Sequence, residues 1–319
     1  MDAQNPLAEA PPFADEFAAA VISGLSAAEK NIPCHFLYDA RGSELFEEIT
    51  RLDEYYPTRT EVALLEEYGP KISQLVGPGC AVIEFGSGSS RKTHILIESL
   101  KDIAAYVPID IADEALNEAA EKLQNKFSDL VVIPVHADFN DAIELPEAVE
   151  GAPKLGFFPG STIGNFTPSE AAQFLRDSGE LLGDDSAFLV GVDLKKNRET
   201  LQAAYNDDKG VTAEFNLNLL ERINRELDGD IDLAKFKHEA VYNEDLGRIE
   251  IYIVSLEDQR LSVLGRPFAI AKGERIHTEN SHKYSIEEFR DLASQAGWRS
   301  DEVWTDDKAL FSLHFLSRD

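Results

Sequence analysis

The sequence predicts an α/β fold with a doubly wound, mostly parallel sheet, and three observations lead to this fold class. Short apolar runs alternate with amphipathic helical segments from residue 80 onward. A glycine-rich turn follows the first apolar run, where such folds bind nucleotide-like cofactors. The alternation is interrupted after residue 196, which indicates an insertion into the α/β domain.

The apolar runs and the helix signals place the individual elements. Parallel strands are expected at residues 81–85, 105–110, 130–137, 155–158 and 187–192, and further strands at 248–255 and 311–316. Helices are expected at residues 14–30, 90–100, 112–127 and 212–227. Two more helices should begin at capping boxes, in which Thr167 pairs with Glu170 and Ser285 with Glu288.

This order of elements predicts two domains. Residues 60–196 and 284–319 are expected to form the cofactor-binding domain. Residues 15–59 and 197–283 are expected to form a second, substrate-binding domain from the N-terminal segment and the insertion, and residues 1–14 read as a loose tail.

Charge and composition exclude several classes of function. The 30 basic and 59 acidic residues give a net charge of −29, which would repel nucleic acid and anionic membranes. Such a surface serves solubility or, alternatively, attracts a cationic ligand. The two cysteines, Cys34 and Cys80, form no metal-ligand motif, so neither a disulfide framework nor a metal is expected. Without a signal peptide or a long apolar run, we expect a cytoplasmic protein. We also expect it to be a monomer.

The turn after the first strand has the sequence EFGSGSS at residues 84–90. Gly86 and Gly88 would let the backbone approach a ligand closely, and the next helix would offer free N–H groups. The turn matches neither the dinucleotide-binding pattern nor the P-loop pattern. A plain tight turn explains the same glycines, so the loop alone does not identify a cofactor.

Acidic residues end the next two strands. Asp110 could accept hydrogen bonds from both hydroxyls of a ribose, or it could be a helix cap or a solvated carboxylate. Asp138 could accept from an adenine amino group while Phe139 packs on the base. This succession of loop, acid and acid resembles the class I methyltransferases with a Rossmann-like fold. Their sulfonium donor carries an activated methyl group, so that the enzyme needs mainly to align the nucleophile and exclude water.

Longer motifs resemble one family, the histidine-specific Nα-methyltransferases of ergothioneine biosynthesis (the EgtD family). The resemblance extends from about residue 20 to the C-terminus. Its motifs are YDARGSELF at 38–46, ITRLDEYYPTRTE at 49–61, EFGSG at 84–88, FPGSTIGNFTP at 158–168, GVTAEFN at 210–216, INREL at 223–227 and RIE at 248–250. The family methylates the amino group of L-histidine three times and produces the betaine hercynine.

The resemblance implies a role for individual residues. S-adenosylmethionine would lie against Gly86, Lys92, Asp110, Asp138 and Phe139. The amino-acid end of histidine would contact Tyr55, Gly160, Asn165 and Tyr205, while Tyr38 and Phe46 help to enclose the amine. Tyr38 and Asn165 are the expected catalytic residues, and Tyr38 is a candidate acceptor for the proton of the amine.

The same resemblance places the imidazole of histidine against Glu279 and Ser281. Glu279 can accept a hydrogen bond from one ring nitrogen and Ser281 can serve the other, so the pair would read both ends of the ring. Backbone, amide and phenol groups would hold the zwitterion without a lysine that could itself be methylated.

One substrate-pocket position departs from the family pattern. Ile251 stands where well-known members carry methionine, and its branched side chain is stiffer. Three hypotheses therefore remain: Nα-trimethylation of histidine, the same chemistry on another amino acid or amine, and a non-catalytic protein that senses S-adenosylmethionine or histidine. Glu279, Ser281 and Asn165 argue against the third.

Overall fold

The computed structural model describes residues 12–88, 91–111, 113–137 and 143–318 of the chain. Its helices are α1 (Pro12–Ser26), α2 (Ala40–Ile49), α3 (Tyr56–Val76), α4 (Arg91–Ser99), α5 (Asp113–Lys126), α6 (Pro168–Leu182), α7 (Arg198–Tyr205), α8 (Val211–Glu226) and α9 (Ile286–Gln295). Its strands are β1 (Lys30–Asn31), β2 (Ala81–Phe85), β3 (Ala105–Asp110), β4 (Val135–His136), β5 (Lys154–Phe158), β6 (Ala187–Asp193), β7 (Phe236–Asn243), β8 (Arg248–Ser255), β9 (Gln259–Val263), β10 (Arg266–Ile270), β11 (Arg275–His282), β12 (Arg299–Thr305) and β13 (Phe311–Ser317).

The larger of two compact units contains the predicted sheet. It comprises Phe46–Lys209, Val241–Ile249 and Asn280–Asp319. Its seven strands lie in the order β12-β13-β6-β5-β2-β3-β4, and all neighbours are parallel except the pairs that involve β13. Helices accompany the parallel strands along the chain, and the predicted α/β fold with a doubly wound, mostly parallel sheet is confirmed.

Strand β2 explains why this sheet is buried on both faces. Ile83 and Phe85 belong to one apolar cluster, whereas Val82, which points the other way, belongs to a second cluster. A strand covered on both faces must be apolar at successive positions, so it reads as a continuous run rather than an alternation. The buried Glu84 interrupts this run, and it requires polar partners inside the fold.

Local signals predicted several elements at their observed positions. The strands predicted at 81–85, 105–110 and 248–255 agree with the structure, and Thr167 and Ser285 form the predicted capping boxes. The strand predicted at 130–137 was wrong in length, because only β4 and an isolated bridge at Val132 pair with β3. This segment lies at the edge of the sheet, where one side of a strand has no neighbour to hydrogen-bond with.

The smaller unit comprises Met1–Leu45, Gly210–Ala240 and Glu250–Glu279. Its main sheet has the order β1-β11-β8-β7, and strands β9 and β10 form an antiparallel hairpin. The observed division groups residues 46–59, 197–209, 241–249 and 280–283 with the parallel sheet, whereas the sequence predicts them in the second domain. The functional domain boundaries remain a prediction. Among the described helices, none has the length and apolar run that crossing a bilayer demands.

Candidate active site

The glycine turn and the acid of the next strand lie together in the larger unit. Gly86 and Gly88 have φ values of 71° and 30°, in the region that favours glycine. The N–H of Gly88 donates to Oδ2 of Asp110 at 3.4 Å, which joins the turn after β2 to the end of β3. Two other residues predicted to bind the cofactor, Asp138 and Phe139, lie outside the described residues.

A buried carboxyl group lies in strand β2, directly before this turn. Glu84 is 1% exposed, and its Oε2 accepts hydrogen bonds from Tyr106 Oη at 2.6 Å and Thr93 Oγ1 at 2.7 Å. Burial raises the pKa of Glu84 to about 8, although both hydroxyl donors act to lower it. At neutral pH the group is therefore mainly a neutral acid that ties β2 to β3 and α4.

A second buried carboxylate joins two predicted site residues. Glu61 of α3 has no exposed surface; its Oε2 lies 2.6 Å from Lys92 Nζ and accepts from the Gly160 N–H at 2.8 Å. A Cβ on Gly160 would lie 3.2 Å from Lys92 Nζ, and its φ of 82° also favours glycine. Lys92, expected at the methyl donor, and Gly160, expected at the histidine, are thus neighbours, although no role for Glu61 was predicted.

The described residues fit the cofactor that the resemblance implies. The turn at Gly86 and Gly88 offers close backbone approach, and Asp110 offers a half-buried carboxylate at a strand end. Lys92 supplies an ammonium group, 13% exposed, that can attract an anionic group. Together these groups suit a nucleoside with an amino-acid tail.

Aromatic side chains expected around the substrate form a row in the larger unit. The ring of Phe46 meets that of Tyr55 edge-on at 6.3 Å between centroids. Tyr55 meets Tyr205 in the same manner at 6.1 Å. Edge-to-face packing fixes ring planes relative to one another. The structure therefore brings together three of the residues predicted to contact the histidine.

Tyr205, the last ring of this row, belongs to a cluster of polar side chains at the end of β11. Tyr205 Oη and Ser281 Oγ lie 2.9 Å apart, and Lys283 Nζ donates to each of them at 2.8 Å. Lys283 was not among the residues that the sequence predicted for the site. All three hydrogens of the Lys283 ammonium meet acceptors, the third being Asp193 Oδ2 at 2.7 Å, so the nitrogen presents no lone pair for methylation.

Asp193, at the end of β6, stands at the centre of a buried charge cluster. Besides Lys283, it binds Lys196 Nζ at 2.6 Å and the Tyr56 hydroxyl at 2.7 Å. Burial acts to raise the pKa of Asp193, but the ammonium groups of Lys283 and Lys196 prevail and lower it. Burial likewise lowers the pKa of Lys196 to about 8, against the opposing effect of Asp193. The carboxylate therefore stays charged and anchors both lysines.

The turn that carries Asn165 packs against the segment that carries Ser281. Asn165 ends the 3-10 helix Thr162–Asn165. A Cβ on Gly164 would lie 2.6 Å from the carbonyl oxygen of His282, so only glycine permits this approach. The predicted amide ligand thus lies in a turn that is fixed against the end of β11.

The smaller unit contains the other predicted substrate residues. Tyr38 meets Phe215 of α8 edge-on at 5.4 Å. Asp39 beside it accepts from Asn218 Nδ2 at 2.7 Å and Arg225 Nη2 at 2.6 Å, which holds the Tyr38 segment on α8. Burial acts to raise the pKa of Asp39, but the Gly42 N–H and these two side chains lower it.

Glu279 and Ile251 lie on neighbouring strands, β11 and β8. Their side chains are 8% and 4% exposed. The hydroxyl of Thr278 donates to Asn216 Oδ1 at 2.7 Å and lies 3.2 Å from the Ile251 carbonyl oxygen. Because side chains alternate along a strand, Glu279 points to the same face of β11 as Ser281, two residues on.

Sequence reasoning missed Glu61, Asp193, Lys196 and Lys283. Glu61 stood within a motif that carried the family resemblance, but nothing local assigned it a task. Lys283 could have been found from the alternation, since it follows Glu279 and Ser281 at the same spacing of two. Its partner Asp193 is 90 residues away in the chain, beyond the range of any local pattern.

Comparisons with known proteins identify the family of the chain. Residues 17–318 match the family model of the SAM-dependent, histidine-specific methyltransferases. The chain is 37% identical over 304 residues to the histidine N-alpha-methyltransferase of Mycolicibacterium smegmatis, covering 93% of this chain and 94% of that one. It is 33% identical to ergothioneine biosynthesis protein 1 of Neurospora crassa, over 91% of this chain and 33% of that longer protein. It is 26% identical to a 4-dimethylallyltryptophan N-methyltransferase of Claviceps purpurea, over 94% of this chain and 95% of that one.

Proposed function

Because the chain belongs to the family of SAM-dependent, histidine-specific methyltransferases, we propose that it methylates the α-amino group of L-histidine three times and so produces hercynine. This reaction would be the first step of ergothioneine biosynthesis. The observation that carries the proposal is the buried hydroxyl pair of Tyr205 and Ser281 in the larger unit, both of them residues that the resemblance places at the histidine. A hydroxyl can donate to or accept from a ring nitrogen of an imidazole.

Residues of the larger unit would hold the methyl donor. Gly86 would allow close approach, Asp110 would accept from the ribose hydroxyls, and Lys92, fixed by Glu61, would attract the carboxylate of the donor. Asp138 and Phe139 keep their predicted role at the adenine. S-adenosylmethionine supplies a methyl group on sulfur that is already activated for transfer, so the protein contributes alignment and exclusion of water.

The histidine would be recognised at both ends. Tyr55, Gly160, Asn165 and Tyr205 would bind the amino-acid end, and Tyr38 and Phe46 would help enclose the amine. Glu279 would accept from one imidazole nitrogen and Ser281 would serve the other. An amino acid without these nitrogens would leave buried polar groups unpaired, which is the stronger way for a site to discriminate. Tyr38 and Asn165 are proposed as the catalytic residues.

A second candidate is Nα-methylation of a different amino acid. Ile251 supports it, since this residue replaces the methionine of well-known relatives. The relative from Claviceps purpurea, which by its name acts on a tryptophan derivative, matches nearly the whole chain at 26% identity.

We also propose that the protein works as a cytoplasmic monomer on small molecules alone. The net charge of −29 supports the absence of nucleic-acid substrates. Sedimentation of the purified protein at assay concentration would test the monomer, and a second copy in the sedimenting species would contradict it.

The direct test is to incubate the purified protein with S-adenosylmethionine and L-histidine and to follow product by mass spectrometry. The expected product gains three CH₂ units, with three molecules of S-adenosylhomocysteine formed per hercynine. Glu279→Ala should raise the KM for histidine by about 10- to 100-fold, the effect of losing one hydrogen bond to a charged group. The exposed Glu257→Ala is the matched control. Absence of methylated histidine with the wild-type protein would refute the proposal.

A further inference from the structure

Lys283 is a fully buried lysine to which the proposed function assigns no task. Its side chain has 0% exposure, and its backbone N–H donates to the Gly247 carbonyl at 2.8 Å. Its Nζ meets three acceptors at 2.7 to 2.8 Å, which are Asp193 Oδ2, Tyr205 Oη and Ser281 Oγ. Two of these three are residues expected to contact the substrate.

The positions of the hydrogens follow from the donor and acceptor inventory of these groups. An ammonium carries three hydrogens and accepts none, so Lys283 gives one hydrogen to each of its three acceptors. The hydroxyls of Tyr205 and Ser281 carry two hydrogens between them. Since their oxygens lie 2.9 Å apart, one of these hydrogens bridges the pair. The other hydroxyl hydrogen must point outside the triangle.

The direction of the bridge follows from acidity. A phenol, with a pKa near 10, is a stronger acid than an aliphatic alcohol and is the better donor of the two. Tyr205 therefore donates to Ser281, whose oxygen then accepts from both Tyr205 and Lys283. With both lone pairs occupied, the Ser281 hydroxyl can act on a ligand only as a donor.

We propose that Lys283 is a positioning residue that makes Ser281 an obligate hydrogen-bond donor toward the unprotonated ring nitrogen of the substrate. This inference rests on the proposed function. Ser281 then donates a hydrogen bond to one ring nitrogen, whereas Glu279 accepts one from the other. The two residues therefore select a neutral imidazole in one orientation. Asp193 holds the ammonium in place and compensates its buried charge.

Two lysines on the same carboxylate allow a matched comparison. Lys283 and Lys196 both contact Asp193, at 2.7 and 2.6 Å, and their side chains are 0% and 7% exposed. Lys196 donates to Tyr56 and to the Leu194 carbonyl, and none of its described hydrogen bonds goes to Ser281 or Tyr205. Lys196→Met therefore controls for the loss of one partner of Asp193 without altering the hydroxyl pair.

The experiment measures KM for histidine and kcat in Lys283→Met, Lys196→Met, Ser281→Ala and the double variant K283M/S281A. Binding of S-adenosylhomocysteine verifies that each variant is folded. Lys283→Met should raise KM by about 10- to 100-fold with a smaller change in kcat, and Lys196→Met by less than about twofold. In the Ser281→Ala background, replacing Lys283 should have less than about a threefold effect, because its target is gone.

Two results would overturn the proposal: equal effects of Lys283→Met and Lys196→Met on KM, or an effect of Lys283→Met that persists undiminished without Ser281. If Lys283→Met does not bind S-adenosylhomocysteine, K283M/D193N and K196M/D193N, each of which keeps one lysine beside the neutral Asn, take the places of the two single variants in the same comparison. Failure of the wild-type protein to methylate histidine would refute the proposed function instead, and so the two failures are distinguishable.

Discussion

Two fully buried carboxyl groups in the same unit behave in opposite ways. Glu84 lies in β2 and meets two hydroxyl groups, those of Tyr106 and Thr93. Asp193 ends β6 and meets two ammonium groups, those of Lys283 and Lys196. Burial raises the pKa of Glu84 to about 8, whereas the lysines lower that of Asp193 in spite of its burial.

The difference shows that the charge of the partners, and not burial alone, determines the state of a buried acid. A hydroxyl group can hydrogen-bond a carboxyl group in either protonation state, but it does not compensate a buried negative charge. Glu84 consequently stabilises the glycine turn as a neutral group. Asp193 stays ionised, and through Lys283 its charge reaches the residues proposed to bind the substrate.

The largest expected effect is that of Asp193→Asn. The amide keeps the shape of the side chain but leaves two buried lysines without a counter-charge, which should lower the free energy of unfolding by about 3–5 kcal/mol. Urea denaturation at pH 7 would measure it. Glu288→Gln, which weakens the exposed pair with Lys195, should cost less than about 1 kcal/mol. Equal losses for the two variants would contradict the distinction drawn between buried and exposed pairs.

The pH dependence of the stability of Glu84→Gln tests the difference between Glu84 and Asp193 further. The folded pKa of Glu84, about 8, lies above the unfolded value. Its contribution to stability is therefore complete below about pH 4.3 and is lost as the pH rises through the folded pKa. The advantage of the wild type over the variant should fall by a few kcal/mol between pH 5 and 8. Parallel stability curves from urea titrations would disprove this assignment.

The contribution of Asp193 to stability should depend on pH in the opposite direction to that of Glu84. Because its folded pKa is lowered, its contribution is present above the unfolded value of about 3.9 and is lost as the pH falls through the lower, folded value. The difference in stability between the wild type and Asp193→Asn should therefore shrink only in acid.

Glu61 lies between Glu84 and Asp193 in the charge of its partners, because it meets one ammonium group and one backbone N–H. The variant Glu61→Gln tests this carboxylate. The amide can still accept from Gly160, but it replaces the charge-assisted hydrogen bond that fixes the Lys92 ammonium with a weaker, neutral one. We expect the affinity for S-adenosylhomocysteine to fall about tenfold, because a less firmly held ammonium binds the donor carboxylate less well and a charged hydrogen bond contributes about 1.5–3 kcal/mol. Calorimetric titration measures this, with the exposed Glu66→Gln on the same helix as control. An unchanged Kd would remove Glu61 from the support of the donor site.

The smallest effect is expected for an apolar change. Ile251→Met restores the residue of well-known relatives at similar volume, and such exchanges cost less than about 1.5 kcal/mol. The kcat/KM for histidine should change by less than about threefold. A larger gain for histidine, with a loss for another amino acid, would instead make Ile251 the determinant of substrate choice.

How far the sequence predicted the molecule depends on the range of the interaction. The turn at Gly86, the capping boxes at Thr167 and Ser285 and the strand β2 follow from neighbouring residues, and all were predicted. The hairpin of β9 and β10 was not predicted, because its strands are short and β10 is largely exposed. A short strand without a clear apolar alternation gives little periodic signal.

The buried charged residues of the site could not be predicted from the sequence, for a different reason. Glu61 meets Gly160 across 99 positions, and Asp193 meets Lys283 across 90. A single lysine or acidic residue in a sequence is predicted to be solvated, because most such side chains are exposed. Only the fold shows that these residues are buried and paired. Long motifs could therefore identify the family and predict its site residues, but they could not predict the buried charges around those residues.

The most direct measurement is mass spectrometry of the purified protein after incubation with S-adenosylmethionine and an equimolar mixture of the standard amino acids. The account predicts a gain of three CH₂ units on histidine alone, and loss of this product in Glu279→Ala. A methylated product of another amino acid, or no product at all while S-adenosylhomocysteine still binds, would contradict the assignment of histidine as the substrate.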